Sequence, residues 1–134
     1  MRNYLIKTLM VIICTAVTVV PVPVRAQSSG TTLYISVSPT TVLAGEWAGI
    51  SGVVINNSTA KLRTTATFYA VDPCGTKTDL GYNRLSLDPG QSVLITTSYP
   101  TKKTSCRGTH IVTISTAGKG GDPGVNASAN LEVQ

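Results

Sequence analysis

The chain has 134 residues, with 11 Lys+Arg against 6 Asp+Glu and a formal net charge of +5. Three of those cations, Arg2, Lys7 and Arg25, lie in the first 26 residues, so the remaining 108 carry eight against six, a formal +2 that excludes a strongly basic nucleic-acid binder. Those 108 residues suit one domain, and their 29 Ser or Thr and 12 Gly point to β structure rather than a helical bundle.

Residues 1–7 form a short basic start, and residues 8–20 are an uncharged, largely apolar run. Pro21 and Pro23 follow, then Val24-Arg25-Ala26 before Gln27. This is the pattern of a secretory signal peptide over residues 1–26, cleaved between Ala26 and Gln27. An uncleaved membrane anchor is the alternative, but a run of 13 residues is short of the ~20 that a spanning helix needs. Cys14 is no lipidation site, because the bulky Ile13 precedes it and the apolar run continues past it. The expected product is a secreted or periplasmic domain of residues 27–134, with no transmembrane segment. Only Cys74 and Cys106 remain in it, an even pair that an oxidising compartment would bridge; two free thiols are the alternative.

Along that domain, Thr31–Ser38 alternates, with Leu33, Ile35 and Val37 on one face, and this uncharged strand is expected at a sheet edge open to pairing with another chain. Residues 40–46 read as a kinked continuation and a turn. Trp47–Asn56 is a second strand of ambiguous parity, in which Gly49 and Gly52 suggest a bulge or a close backbone approach. Residues 61–71 form a third strand with Leu62, Ala66, Phe68 and Ala70 on one face. Lys77–Leu87 is expected to be irregular, with one or two short edge strands. Asp88-Pro89-Gly90-Gln91 is a turn, since Pro presets φ and Gly permits positive φ. Residues 92–99 form a strand with Val93 and Ile95 on one side, and residues 100–107 a polar loop. Gly108–Thr116 is a strand with His110, Val112 and Ile114 inward, residues 117–124 a glycine-rich hairpin, and residues 125–134 a closing strand with Val125, Ala127, Leu131 and Val133 inward. About seven strands with turn signals every 8–12 residues predict an all-β, small antiparallel sandwich.

Three stretches resemble secreted bacterial immunoglobulin-like domains of the fibronectin type III or CARDB-like kind. They are Ala44-Gly45 leading into a strand that ends at Asn56-Asn57; Leu87-Asp88-Pro89-Gly90-Gln91-Ser92; and Gly108-Thr109-His110-Ile111-Val112. The resemblance runs over roughly residues 33–133. Where many such domains carry the Tyr of a tyrosine corner, this chain has His110. The resemblance implies a non-enzymatic structural, adhesion or binding module. It also implies that the strand ending near Cys74 and the strand starting after Cys106 are antiparallel neighbours, so the two cysteines meet at one pole.

Catalytic chemistry has little to work with. A Ser-His-Asp arrangement would need His110, the only His, on the inward face of a strand. The six carboxylates, Glu46, Asp72, Asp79, Asp88, Asp122 and Glu132, form no adjacent pair for a glycosidase dyad. Gly118–Gly124 is followed by no phosphate-loop Lys, and Asp122 with Asn126 offers too few oxygens for calcium. No metal, cofactor or catalytic residue is therefore expected. Lys77, Lys102, Lys103 and Arg107 are the candidate partner-binding residues, gathered at the disulfide pole, where the plain alternative is a solvated loop. Tyr34, Tyr69, Tyr82 and Tyr99 are expected on exposed or edge positions. They make an envelope glycan the alternative to a protein partner, with a small hydrolase behind both.

Overall fold

A computed structural model describes residues 23–27, 30–117 and 124–134. The apolar run of the expected leader and the interior of the glycine-rich hairpin lie outside them. Nine strands follow in order: β1 Val24–Gln27, β2 Thr31–Ser38, β3 Thr41–Val42, β4 Trp47–Asn56, β5 Leu62–Val71, β6 Lys77–Leu87, β7 Ser92–Pro100, β8 Gly108–Thr116 and β9 Val125–Val133. They form two sheets, β1-β2-β4-β7 and β3-β9-β8-β5-β6. Every pairing is antiparallel except the two-residue β3–β9 contact. The all-β sandwich expected from the alternation is present.

Period-two patterning builds the core. β4 alternates without a break, so that Ala48, Ile50, Gly52, Val54 and Asn56 point inward. That resolves the parity that Val53-Val54-Ile55 leaves open. From the facing sheet come Phe68 of β5, Ile114 of β8 and Leu131 of β9, all essentially inaccessible. A Cβ on Gly52 would lie 2.8 Å from both the Phe68 ring and the Ile114 methyl. This glycine marks a close approach between the sheets, as a glycine within a strand suggests.

The structure differs from the sequence reading in four places. Lys77–Leu87 stands at a sheet edge as expected, but as one continuous eleven-residue strand on β5 rather than one or two short ones. A single register shift opposite Phe68 and Tyr69 and the positive φ of Gly81 absorb its irregularity. Residues 41–42 form a short strand on β9 after a cis Ser38–Pro39 bond. β2, expected at an edge, is flanked by β4 on one side and β1 on the other. Last, Tyr99 is buried rather than exposed, because it shares the inward parity of Val93 and Ile95. The expected cleavage site, Ala26 and Gln27, falls within β1, where the two residues pair with Leu33 and Thr32.

Candidate functional site

One pole of the sandwich gathers Cys74 and Cys106, the one histidine and the four candidate cations. β5 ends there in a tight turn. The Asp72 carboxylate accepts the N–H groups of Cys74 (3.0 Å) and Thr76 (2.9 Å), and Gly75 takes the positive φ that the turn requires. β8 is the antiparallel neighbour of β5, with Val71 opposite Ile111. The end of one strand therefore lies beside the start of the other. A disulfide joins Cys74 to Cys106 across this gap, with the Cα atoms 6.2 Å apart and 32 residues of chain between them. Both the pairing and its place at the pole are as the sequence and the resemblance suggest.

Beneath the bridge, His110 is completely buried. Its Nε2 lies 2.6 Å from the Cys106 carbonyl oxygen, which can only accept, so Nε2 carries the proton. Nδ1 then accepts from the Tyr99 hydroxyl at 2.9 Å. The imidazole thus ties back to the backbone four residues upstream, the bond that a tyrosine corner makes with its phenol. Burial, followed by the negative charge of Asp72, pushes the Tyr99 phenol above its ordinary value. A hollow of about 270 Å³ opens above these groups, lined by Asp72, Thr78, Tyr99, Lys102, Ser105 and Cys106 among others. His110 does not line it, and both ring nitrogens are occupied.

The four candidate cations share the pole without converging. Lys102 faces the hollow with Asp72. The Lys77 ammonium sits 4.5 Å from the centre of the Tyr69 ring on the outer face of the second sheet. Lys103 lies along the β3–β4 turn, its Cγ at 3.0 Å from where a Cβ on Gly45 would stand. Arg107 is exposed in the loop before β8. Asp72 and the two cysteine sulfurs lie within 4.8 Å of one another. With the sulfurs bonded to each other, that trio offers no thiolate for a metal.

At the opposite pole, the Asn56 amide is buried. It donates to the carbonyls of Ala60 (2.9 Å) and Leu87 (3.0 Å), while its oxygen accepts from the Ser58 backbone (3.0 Å) and hydroxyl (2.7 Å). Sequence reasoning placed Asn56 at the end of a strand and missed this role. The available signal was a polar residue at the inward parity of β4. Tyr99 as the partner of His110 was likewise missed, although Val93, Ile95, Thr97 and Tyr99 share one face.

No protein-family model matches the chain, and no curated protein matches it. Solved structures do. A CARDB domain of a Pyrococcus furiosus protein, in complex with di-metal ions, superposes with a TM-score of 0.58 at 15% identity, covering 79% of this chain and 90% of that one. The fold is that of a CARDB-like, immunoglobulin-like sandwich. Parts of larger enzymes also superpose on this chain. A Pseudomonas fluorescens alkylpurine DNA glycosylase matches with a TM-score of 0.61 at 18% identity, over 76% of this chain. A Listeria innocua β-glucosidase matches with a TM-score of 0.61 at 18% identity, over 80% of this chain. The chain spans only 30% of the glycosylase and 16% of the glucosidase.

Proposed function

We propose that this CARDB-like chain is an exported, non-catalytic module with a structural, adhesion or protein-binding role. The state of its one histidine carries the proposal. His110 is fully buried, and its two nitrogens are committed to Cys106 and Tyr99. A general base must reach a reacting proton, and this imidazole holds a loop instead. The Cys74–Cys106 bridge supports a working place outside the cytoplasm, where disulfides persist. Among the described residues, no helix is long and apolar enough to cross a membrane.

The test begins with expression of the full chain in a host with an export pathway. The exported protein is expected to begin at Gln27, to carry no free thiol, and to be captured with an envelope or extracellular protein by cross-linking in place. Hydrolysis of ester, peptide or glycoside substrates that is lost in a folded His110→Ala variant would overturn the non-catalytic reading. Retention of the chain in the cytoplasm with both thiols reduced would overturn the exported one.

A second reading is a module that binds envelope glycans. Tyr69 and Tyr82 share the outer face of β5 and β6, with Tyr82 opposite Thr67 and Tyr69 opposite Asp79. Tyr82 is 65% exposed, whereas the Tyr69 ring has Lys77 over it. Binding on a glycan array that Tyr82→Ala abolishes would establish this reading over the first.

A further inference from the structure

The two sheets end differently. At the β6 edge of the second sheet stand Lys77, Asp79 and Arg84, a register shift and Gly81 at positive φ. Charge and irregularity of this kind discourage pairing with another chain. The β7 edge of the first sheet has no such protection. Ser92–Pro100 is nine residues long and uncharged, and it pairs with β4 in one unbroken register from Trp47↔Pro100 to Ile55↔Ser92. Among the described residues β4 is its only ladder partner. A constant-type immunoglobulin sheet seats a fourth strand at this place. Here the preceding strand, β6, crosses to the other sheet and pairs with β5, so the seat beside β7 stays open. β6 runs close by, since the Thr97 hydroxyl donates to the Leu80 carbonyl at 3.1 Å. Leu80 and Leu85 of β6 and Val93 of β7 pack against the core but are only partly buried.

We propose that β7 of a second copy of this chain fills the seat, antiparallel to the first, making one continuous sheet across a two-fold axis. Charge selects this occupant. In an isologous contact each residue meets its own kind across the axis, so any charge near the axis opposes itself. β7, like β2 and β4 behind it, has none. A strongly charged partner would find no counter-charge on this strand. One antiparallel register overlaps all nine residues. Thr96 lies on the axis, and Ile95 faces Thr97, Leu94 faces Ser98, Val93 faces Tyr99 and Ser92 faces Pro100. Inward residues meet inward ones, and Pro100, which has no N–H to donate, falls at the end of the ladder. Val93, Leu80 and Leu85 gain cover.

Sedimentation across a concentration series, on protein expressed from the full chain, tests this. The wild type is expected to dimerise reversibly. Thr96→Lys, an exposed position, sets two cations against each other on the axis and is expected to weaken the dimer at least about tenfold. Asn126→Lys, on the outer face of the second sheet, is expected to leave it unchanged. An equimolar mixture of Thr96→Lys and Thr96→Glu is expected to restore association, because the two residues then face each other as an ion pair. A wild type that stays monomeric at every concentration overturns the proposal. So does a Thr96→Lys variant that dimerises as the wild type does while keeping its near-UV circular dichroism. Failure of the Lys/Glu mixture to associate overturns it as well.

Discussion

At Gly52 the facing sheet leaves no room for a side chain, since the Phe68 ring and the Ile114 methyl lie 2.8 Å from where a Cβ would stand. Neither neighbour is exposed, so neither can swing into solvent. Gly52→Ala is therefore expected to destabilise the fold by about 1–3 kcal/mol in chemical denaturation, although alanine suits most strands no worse than glycine. Asn56 is the polar counterpart. Its four hydrogen bonds tie the end of β4 to the Ser58–Ala60 turn and to the end of β6. Asn56→Ala takes the buried donor from the Leu87 carbonyl and the acceptor from the Ser58 N–H, while the Ser58 hydroxyl still reaches the Ala60 carbonyl, and is expected to cost about 1–3 kcal/mol, measured the same way. The Tyr99–His110 pair gives a pH signature. The Tyr99 phenol has its folded-state pKa raised, so the native state holds that proton more tightly than the unfolded state does. Its contribution is fully present below the ordinary tyrosine value of about 10 and is lost as pH rises through the folded value. Thermal midpoints measured from neutral to strongly alkaline pH are expected to fall above that point. Tyr99→Phe should remove this component of the fall while lowering the midpoint at neutral pH.

At the scale of elements, β6 shows what alternation conceals. Lys77–Leu87 contains Gly81 and three charged residues, so its pattern looks broken when read alone. Paired on β5, the strand runs on, because one shift opposite Phe68 and Tyr69 restores the parity that brings Leu87 inward opposite Leu62. β1 poses a different problem. Val24–Gln27 holds the expected cleavage site and at the same time pairs with β2 from Val24↔Ile35 to Gln27↔Thr32. If leader peptidase cuts after Ala26, three of the four β1 residues leave with the leader, and the β2 edge opens from Leu33 to Ile35. Amide hydrogen exchange followed by mass spectrometry is expected to show those β2 amides exchanging faster in exported protein that begins at Gln27 than in a variant whose cleavage site is blocked.

For the molecule as a whole, the disulfide is a covalent constraint that ties β5 to β8 at one pole. It closes a loop with a sequence separation of 32, for which chain entropy alone gives roughly 3–4 kcal/mol. A Cys74→Ser/Cys106→Ser double variant is expected to melt more than about 10 °C below the oxidised wild type by calorimetry. The reduced wild type should resemble the variant. Equal midpoints for all three would show that the pole is held by the Asp72 turn and the His110 bond without the bridge.

Sequence alone was enough for the sandwich, because burial in a sheet imposes a period of two that Thr31–Ser38 and Val125–Val133 display in full. The disulfide pair was legible too, since the two cysteines that follow the expected leader leave one partner for each. The inward place of His110 followed from its parity with Val112 and Ile114. Other features depend on what lies across the sandwich or beside a strand, and no local pattern encodes that. The tertiary structure decided that Tyr99 is the partner of His110, that Asn56 closes the far pole, and that Lys77, Lys102, Lys103 and Arg107 share a pole without converging. It also placed β7 at one edge of the first sheet and laid β1, most of which precedes the expected cleavage site, beside β2 at the other. An edge is defined by the absence of a neighbour, and a strand with none has the same alternation as a strand with two.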